Sequence, residues 1–419
     1  MLVEFRVENH RSLREEQVLS MEAARVGDET DLRPRQVPGH PEPLLTVVGL
    51  YGANASGKSN LLAALSFMCK AVVMSHRSWA PDEEGLGEPM VPRDPFAWGP
   101  KRQEPSLFEV TFLLGGVRYR YGFQASDEQF LEEWLHAWPS GRKQVWFERD
   151  GQQFKFGDNL KGENRLIESV IRPNALFLSA AAQHNHPQLT SIFTWFRSID
   201  IVNLGTGTLT HPRFHLPSRF VLARLLEEDA DQQPILDGVR DLLKQADIGV
   251  VDLRVENEPE KKRLRSGPSF SLKHHGEYDD AWLPLRSESN GTQTLFHLAL
   301  PVLRVLQRGG ILLIDELERS LHPALARRII DQFNDPATNP QNGQLIFATH
   351  DTNLLGTMLG DPALRRDQVW LTEKDAEGAT VLYPLTDYKP RKAENLERGY
   401  LQGRYGAIPF LGVSLVKEA

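Results

Sequence analysis

The segment from Gly52 to Ser59 constrains this chain more than any other. It reads Gly-Ala-Asn-Ala-Ser-Gly-Lys-Ser, the spacing G-x-x-x-x-G-K-S. A short apolar run, Leu45–Tyr51, precedes it and reads as a fully buried strand. Asn60–Val73 follows, with apolar residues at Leu61, Leu62, Leu65, Met68 and Cys69, and reads as a helix. A glycine-rich loop between a strand and a helix lets the backbone wrap tightly, so that N–H groups point at phosphate oxygens. The helix adds its positive N-terminal end. Gly52, Asn54, Ala55, Ser56, Gly57, Lys58, Ser59 and Asn60 are therefore candidate nucleotide contacts. Lys58 would reach the β- and γ-phosphates and Ser59 would ligate Mg²⁺.

Such a loop needs acidic partners, and the chain offers them far downstream. Ile311–Ile314 is an apolar run that meets Asp315-Glu316. In open parallel sheets the carboxyl ends of strands border the ligand crevice. Asp315 would hold Mg²⁺, and Glu316 would act as general base on the attacking water. A solvated acidic turn is the plainer alternative. A second apolar run, Gln344–Thr349, ends at His350-Asp351. His350 can sense a γ-phosphate through a ring N–H, or can be structural. Ser289-Asn290-Gly291-Thr292 precedes a helical pattern, Gln293–Leu306, interrupted by Pro301. Those residues fit an anion-binding helix end and equally an ordinary cap.

Other stretches organise the chain. Leu2–Val7 alternates as a strand does, and 76–105 reads as an irregular loop. Leu107–Phe123 reads as a hairpin turning at Gly115-Gly116, and Gln144–Phe156 as another at Asp150-Gly151. Residues 188–250 read as helical, with apolar spacing over Phe220–Glu227 and Ile235–Lys244. Glu256–Pro268 reads as a charged turn and Ser269–Lys273 as a strand. Pro323–Phe333 reads as a helix with proline at its start. Gln368–Leu371 and Thr380–Pro384 read as a late hairpin.

Composition narrows the function classes. The longest mostly apolar stretch, Leu44–Ala53, is far below the roughly 18 residues that cross a bilayer. The start, MLVEFRVENHRS, is too charged for a signal peptide. Cys69 is the single cysteine, which excludes an internal disulfide and a cysteine-built zinc site. A cytoplasmic setting without membrane contact is the expectation. A net charge of −8 argues against coating DNA by bulk charge.

Together these strings resemble ATP-binding-cassette-type ATPase heads, a group that includes structural-maintenance, double-strand-break-repair and phage-defence ATPases. LVEFRVENHRSL resembles their opening strand and arginine loop. GANASGKSN resembles the phosphate loop, RSESNGTQTL the cassette signature, ILLIDELERSLHP the acidic strand and D-loop, and QLIFATHDTNLL the histidine switch. Leu321-His322-Pro323 and the tail LERGYLQGRYGAIPF resemble the prokaryotic AAA-type branch that holds RloA-like and overcoming-lysogenization-defect-like ATPases. The signature departs from S-G-G-Q, and no glutamine-loop residue is assigned.

The resemblance implies an α/β P-loop NTPase of cassette-head type, with a mixed core sheet, an antiparallel β-subdomain and a mainly helical insertion. The implied core is 1–75 with 270–385. A β-rich subdomain spans 76–180, the insertion 181–269 and a tail 386–419. The implied cofactors are ATP and Mg²⁺. The implied catalytic residues are Lys58, Glu316 and His350, with Ser59 and Asp315 at the metal. Arg11 would approach the phosphates of its own subunit. Ser289, Gly291 and Thr292 would serve the ATP of a second copy, so a homodimer or higher homo-oligomer is expected. The implied role is anti-phage defence through a separately encoded nuclease or toxin, since no stretch after 385 is left for a nuclease. A DNA-binding, RecF-like repair head and a slowly turning, ATP-locked scaffold are the alternatives, and nucleic acid is a further candidate partner.

Several features have plain readings. Lys261, Lys262, Arg263 and Arg265 read as a solvated loop. His274-His275 point to opposite faces of a strand and do not share a metal. His322 reads as a structural helix-start residue, Cys69 as buried, and the tryptophans as packing residues.

Overall fold

The computed structural model describes residues 1–26, 30–79, 90–203, 208–210, 233–246, 249–255, 269–276, 281–358, 360–390 and 394–409. The first half holds β1 (Leu2–Glu8), β2 (Gln17–Ser20), β3 (Val47–Gly52), α1 (Lys58–Ser78), β4 (Ser106–Leu114), β5 (Val117–Ala125), β6 (Phe130–Trp138), β7 (Gln144–Asp150) and β8 (Gln153–Phe156). Next come α2 (Asn164–Val170), α3 (Phe177–Gln183), α4 (Leu189–Arg197), β9 (Ile199–Asn203), β10 (Thr208–Thr210), α5 (Gln233–Gln245), β11 (Val250–Val255), β12 (Phe270–His274) and β13 (Trp282–Pro284). The last part holds α6 (Asn290–Arg308), β14 (Ile311–Asp315), α7 (Pro323–Asn334), β15 (Gln344–Ala348), β16 (Val369–Lys374), β17 (Thr380–Pro384) and α8 (Leu396–Leu401).

β3 is buried along its whole length, as is β15, and β14 is buried up to Asp315. Strands covered on both faces belong in a parallel sheet. They lie in one, in the order β10-β9-β14-β15-β3-β16-β17. The five from β9 to β16 are parallel, and β10 and β17 close the edges antiparallel. The strand that leads to His350 is thus inserted between the phosphate-loop strand and the acidic strand.

The second sheet is antiparallel, in the order β2-β1-β4-β5-β6-β7-β8. Its β4–β5 turn uses Gly115 and Gly116 at φ +58° and +75°, where glycine avoids a side-chain penalty. α1 lies between the two sheets. Leu61, Leu65, Met68, Cys69 and Val72 join Phe108, Phe112, Phe123 and Phe130 in one core. On the other face of the parallel sheet, Leu295, Phe296, Leu298 and Val302 of α6 join Ile329, Ile330 and Phe333 of α7 in a second core. This is the α/β architecture expected of a P-loop NTPase, a core sheet of mainly parallel strands with an antiparallel β-subdomain.

The helical reading of 188–250 is corrected at Thr208–Thr210, which is strand β10, and at Ile199–Asn203, which is strand β9 beside β14. Its apolar pattern is broken by Asp200, which is 2% exposed and ion-paired with Arg304 of α6. A buried carboxylate in a five-residue strand hides the strand signal. α4 and α5 do form, over Leu189–Arg197 and Gln233–Gln245. Phe220–Glu227, Glu256–Pro268 and the Lys261–Arg265 cluster lie outside the described residues. His322 caps α7 by accepting the N–H of Ala324 at 3.2 Å. His274 pairs with Glu288 at 2.6 Å. Cys69 is buried, which pushes its thiol pKa up.

The antiparallel sheet is locked to α3 by Glu133, which is fully buried on β6. Its carboxylate accepts the N–H groups of Phe177 (2.6 Å) and Leu178 (3.1 Å) and the hydroxyl of Tyr121 (2.9 Å). Arg149 approaches to 3.8 Å. Burial raises the Glu133 pKa against these partners. Removing one member of a buried charge pair leaves the other uncompensated, so Glu133→Ala should cost about 3–5 kcal/mol, and Glu133→Gln less. Chemical denaturation followed by tryptophan fluorescence measures both, and an unchanged midpoint for Glu133→Ala would refute this role.

Candidate nucleotide-binding site

The turn after β3 is held by contacts from two distant segments. Ala55 sits at φ +62° and Gly57 at φ +114°. A Cβ on Gly57 would lie 2.1 Å from Thr380 Oγ1, so only glycine fits there. Thr380 Oγ1 donates to the Ser56 carbonyl at 2.8 Å. Ser12 Oγ lies 2.7 Å from Thr380 Oγ1, and Asn60 Nδ2 donates to Ser12 Oγ at 2.6 Å. Ser56 Oγ meets Thr372 Oγ1 at 2.6 Å. The loop after β1 and the β16–β17 hairpin therefore stitch the phosphate loop in place.

A cavity of about 520 Å³ is lined by the loop from Asn54 to Asn60, by Asp315 and Glu316, and by Thr349 and His350. Lys58 is mostly buried, and its Nζ donates to the carbonyls of Gly52 (2.8 Å) and Ala53 (3.1 Å). Burial lowers its pKa to about 8, while Glu318, Asp315 and Glu316 pull it back up. Ser59 Oγ donates to Asp315 Oδ1 at 2.9 Å. Burial raises the Asp315 pKa, and Glu316 and Glu318 add to the rise. Burial, and then Lys58, lower the His350 pKa and favour its neutral ring.

Two residues missed by sequence reasoning shape this cavity. Glu318 accepts from Thr349 Oγ1 at 2.6 Å and from the His350 N–H at 2.9 Å, so it anchors the end of β15 to the acidic turn. Its signal was available, two positions after Glu316. Asn203, at the end of β9, places Nδ2 at 3.4 Å from Asp315 Oδ2. It was lost together with the strand. Glu316 has φ +61°, and its carboxylate accepts from Arg319 Nη1 at 2.7 Å. A non-glycine residue in that region stores strain, which is common where geometry serves chemistry.

Other sequence candidates lie elsewhere. Arg11 does not line this cavity; its Nε pairs with Asp94 at 3.0 Å. Ser289, Gly291 and Thr292 also lie outside it, at the start of α6. Ser289 caps that helix by accepting the Thr292 N–H at 3.2 Å. A Cβ on Gly291 would lie 3.0 Å from the Ser320 carbonyl, so the segment abuts the turn that follows Glu316.

The donors present fit a polyphosphate with a hard cation. The Ser59 hydroxyl and Asp315 carboxylate are adjacent oxygen donors, which Mg²⁺ prefers. Three carboxylates, Asp315, Glu316 and Glu318, face one lysine, an imbalance that a divalent cation offsets. Among the described residues, no helix is long and apolar enough to cross a membrane.

A family model described as AAA domain, putative AbiEii toxin, Type IV TA system, matches residues 47–356 of 419. A search of curated proteins finds no match. The SMC head domain from Thermotoga maritima is 14% identical, with a TM-score of 0.40 over 91% of this chain and 98% of that one. The Smc head domain with an extended coiled coil, bound to the C-terminal domain of ScpA and derived from Pyrococcus furiosus, is 11% identical. Its TM-score is 0.42 over 93% of this chain and 97% of that one.

Gly57 gives a direct test of the loop. Gly57→Ala should lose nucleotide binding and destabilise the chain by about 1–3 kcal/mol from backbone strain alone. Adding Thr380→Gly removes the clash but keeps the positive φ and deletes the Thr380 bonds to Ser56 and Ser12, so it should not restore the original stability. Titration with a fluorescent ATP analogue and thermal melts check both.

Proposed function

The chain belongs to the AAA-domain family described as putative AbiEii toxin, Type IV TA system, and from that premise we propose that it is a Mg²⁺-dependent ATPase of cassette-head type. One observation carries this reading. Residues from three separated segments, Lys58 and Ser59, Asp315 and Glu316, and His350, converge on one cavity. Ser289–Thr292, in contrast, sit at a helix start outside it, as residues would that complete the site of a second copy.

In this reading the phosphate loop and Lys58 hold the triphosphate. Ser59 and Asp315 would hold Mg²⁺, which would supply positive charge against the phosphates, and Asn203 steadies Asp315. Glu316 turns from Arg319 towards a water and takes its proton as general base. His350, fixed through its own N–H by Glu318, meets the γ-phosphate with its ring. Ser289, Gly291 and Thr292 of one copy close over the nucleotide of another, which makes a homodimer the working unit. The cellular role we infer is sensing in a prokaryotic anti-phage system of the RloA-like kind, in which ATP-driven assembly controls a separately encoded toxin or nuclease. The family's toxin–antitoxin description supports such a paired arrangement.

Glu316→Gln should lower turnover by about 10²–10⁴-fold and accumulate ATP-bound dimers, read by phosphate release and light scattering. Normal turnover in that variant would remove Glu316 as the base. Lys58→Ala and Ser289→Arg should each be inactive alone. Mixing them should restore hydrolysis, because one copy then supplies an intact phosphate loop and the other an intact signature. A mixture that stays inactive would sink the shared-site arrangement.

A further inference from the structure

Tyr51 stands at the end of β3, one residue before Gly52 opens the phosphate loop. Its ring is fully buried, edge-on to Tyr400 of α8 at 6.0 Å. The parallel ladder pairs Ala348 with Leu50, and the Thr349 N–H carries it one step further by donating to the Leu50 carbonyl. The next pair is then Thr349 with Tyr51. Paired residues of parallel strands present their side chains to one face of the sheet. Tyr51 therefore lies on the face where Thr349 meets Glu318. Asp351 joins the same group, because its N–H donates to Thr349 Oγ1 at 3.0 Å.

Most polar groups around Tyr51 are paired. Thr349 Oγ1 donates to Glu318, Thr352 Oγ1 to Glu397, and the Tyr400 hydroxyl to the Ala407 carbonyl at 3.1 Å. Asp351 Oδ1 accepts the Asn353 N–H at 2.9 Å and Asn353 Nδ2 at 2.6 Å. Two atoms are left over. The Tyr51 hydroxyl and Asp351 Oδ2 are both buried, and neither has a hydrogen-bond partner among the described residues. A buried polar atom without a partner is rare and costs stability. Here one orphan can donate and the other can only accept. Each also feels the other: burial raises the Tyr51 pKa most, and the Asp351 charge comes next, ahead of Glu318. Two complementary orphans in one cluster mark a bond that a second arrangement of the same groups closes.

Their places in the chain indicate that arrangement. Tyr51 immediately precedes the phosphate loop, and Asp351 immediately follows His350. We propose that Tyr51 is a positioning residue: when a γ-phosphate lies between the phosphate loop and His350, the histidine turn draws in and the Tyr51 hydroxyl donates to Asp351 Oδ2. The bond holds His350 against the γ-phosphate. It adds affinity for a triphosphate and none for a diphosphate. This inference rests on the ATPase reading above.

Calorimetry on the full chain, with Mg²⁺ and either ADP or a non-hydrolysable β,γ-imido analogue of ATP, tests it. Tyr51→Phe removes only the hydroxyl. It should weaken the analogue about tenfold, leave ADP within about twofold, and lower kcat/KM for ATP by a factor similar to the analogue's. The hydroxyl is unpaired without nucleotide, so the same change should hold or raise the melting temperature of the nucleotide-free chain. A tyrosine with a purely structural role would instead lower that temperature and leave the ratio of analogue to ADP affinity alone, a result that overturns the proposal. Asp351→Ser keeps a capping oxygen for the Asn353 N–H and removes the free one. It should weaken the analogue by a similar factor, and the double variant should lose no more than the more damaging single. Losses that multiply would overturn the pairing. Nucleotide binding that is absent, or indifferent to Lys58→Ala, would sink the ATPase reading and this inference with it. Binding that needs Lys58, with an unmoved ratio in Tyr51→Phe, sinks this inference alone.

Discussion

The parallel ladder that seats β15 between β3 and β14 is the constraint on which the nucleotide site depends. Parallel neighbours cannot be joined by tight turns, so each needs a crossover. The ladder pairs Leu345 with Val47 on one side and Ile311 with Gln344 on the other. The bonds continue past the strand ends: Thr349 N–H reaches the Leu50 carbonyl at 3.1 Å, and Leu317 N–H reaches the Ala348 carbonyl at 3.1 Å. Three strand termini from remote parts of the chain are thereby held level. Ser59 can then meet Asp315, and Glu318 can bind the backbone of His350.

That alignment concentrates charge. Asp315, Glu316 and Glu318 share one end of the sheet with Lys58, and burial works against ionisation of both Asp315 and Lys58. The turn that carries these carboxylates is itself strained, with Glu316 at φ +61° and Ser320 at φ +60°. α6 touches this turn through Gly291 at the Ser320 carbonyl. Further along, Arg304 of α6 pairs with buried Asp200 of β9, the strand whose last residue, Asn203, reaches Asp315. α6 is thus joined to the turn after the acidic strand through Gly291 and to the neighbouring strand β9 through Arg304. Whatever moves its N-terminus acts on a turn that is already held away from its relaxed backbone.

The sequence was most legible where local pattern and chemistry agreed. The phosphate loop, the acidic strand and the His350 strand are each a buried apolar run ending in polar residues, and each stands where the pattern puts it. The hairpins at Gly115-Gly116 and Asp150-Gly151 were legible from their turn residues. β9 was not, because a paired Asp200 interrupts an otherwise β-branched run and its partner, Arg304, is remote in sequence. Asn203, Ser12 and Thr380 were hidden for the same reason. Each has an ordinary local context, and its place at the site follows only from tertiary pairing.

The tail illustrates how far that tertiary dependence extends. LERGYLQGRYGAIPF carried no chemistry of its own in the sequence, yet α8 supports two walls of the cavity. Tyr400 packs edge-on against Tyr51 at 6.0 Å, one residue before Gly52 opens the phosphate loop. Glu397 accepts from Thr352 Oγ1 at 3.2 Å, two residues beyond His350. The approach is close: a Cβ on Gly356 would lie 2.1 Å from the Glu397 carboxylate, and within the tail itself one on Gly399 would lie 2.4 Å from the Tyr405 hydroxyl. A segment packed this tightly under both the phosphate loop and the histidine turn cannot shift without moving one of them. The tail therefore bears on the geometry of Lys58 through Tyr400 and on that of His350 through Glu397, while its own glycines keep α8 compact enough to reach both.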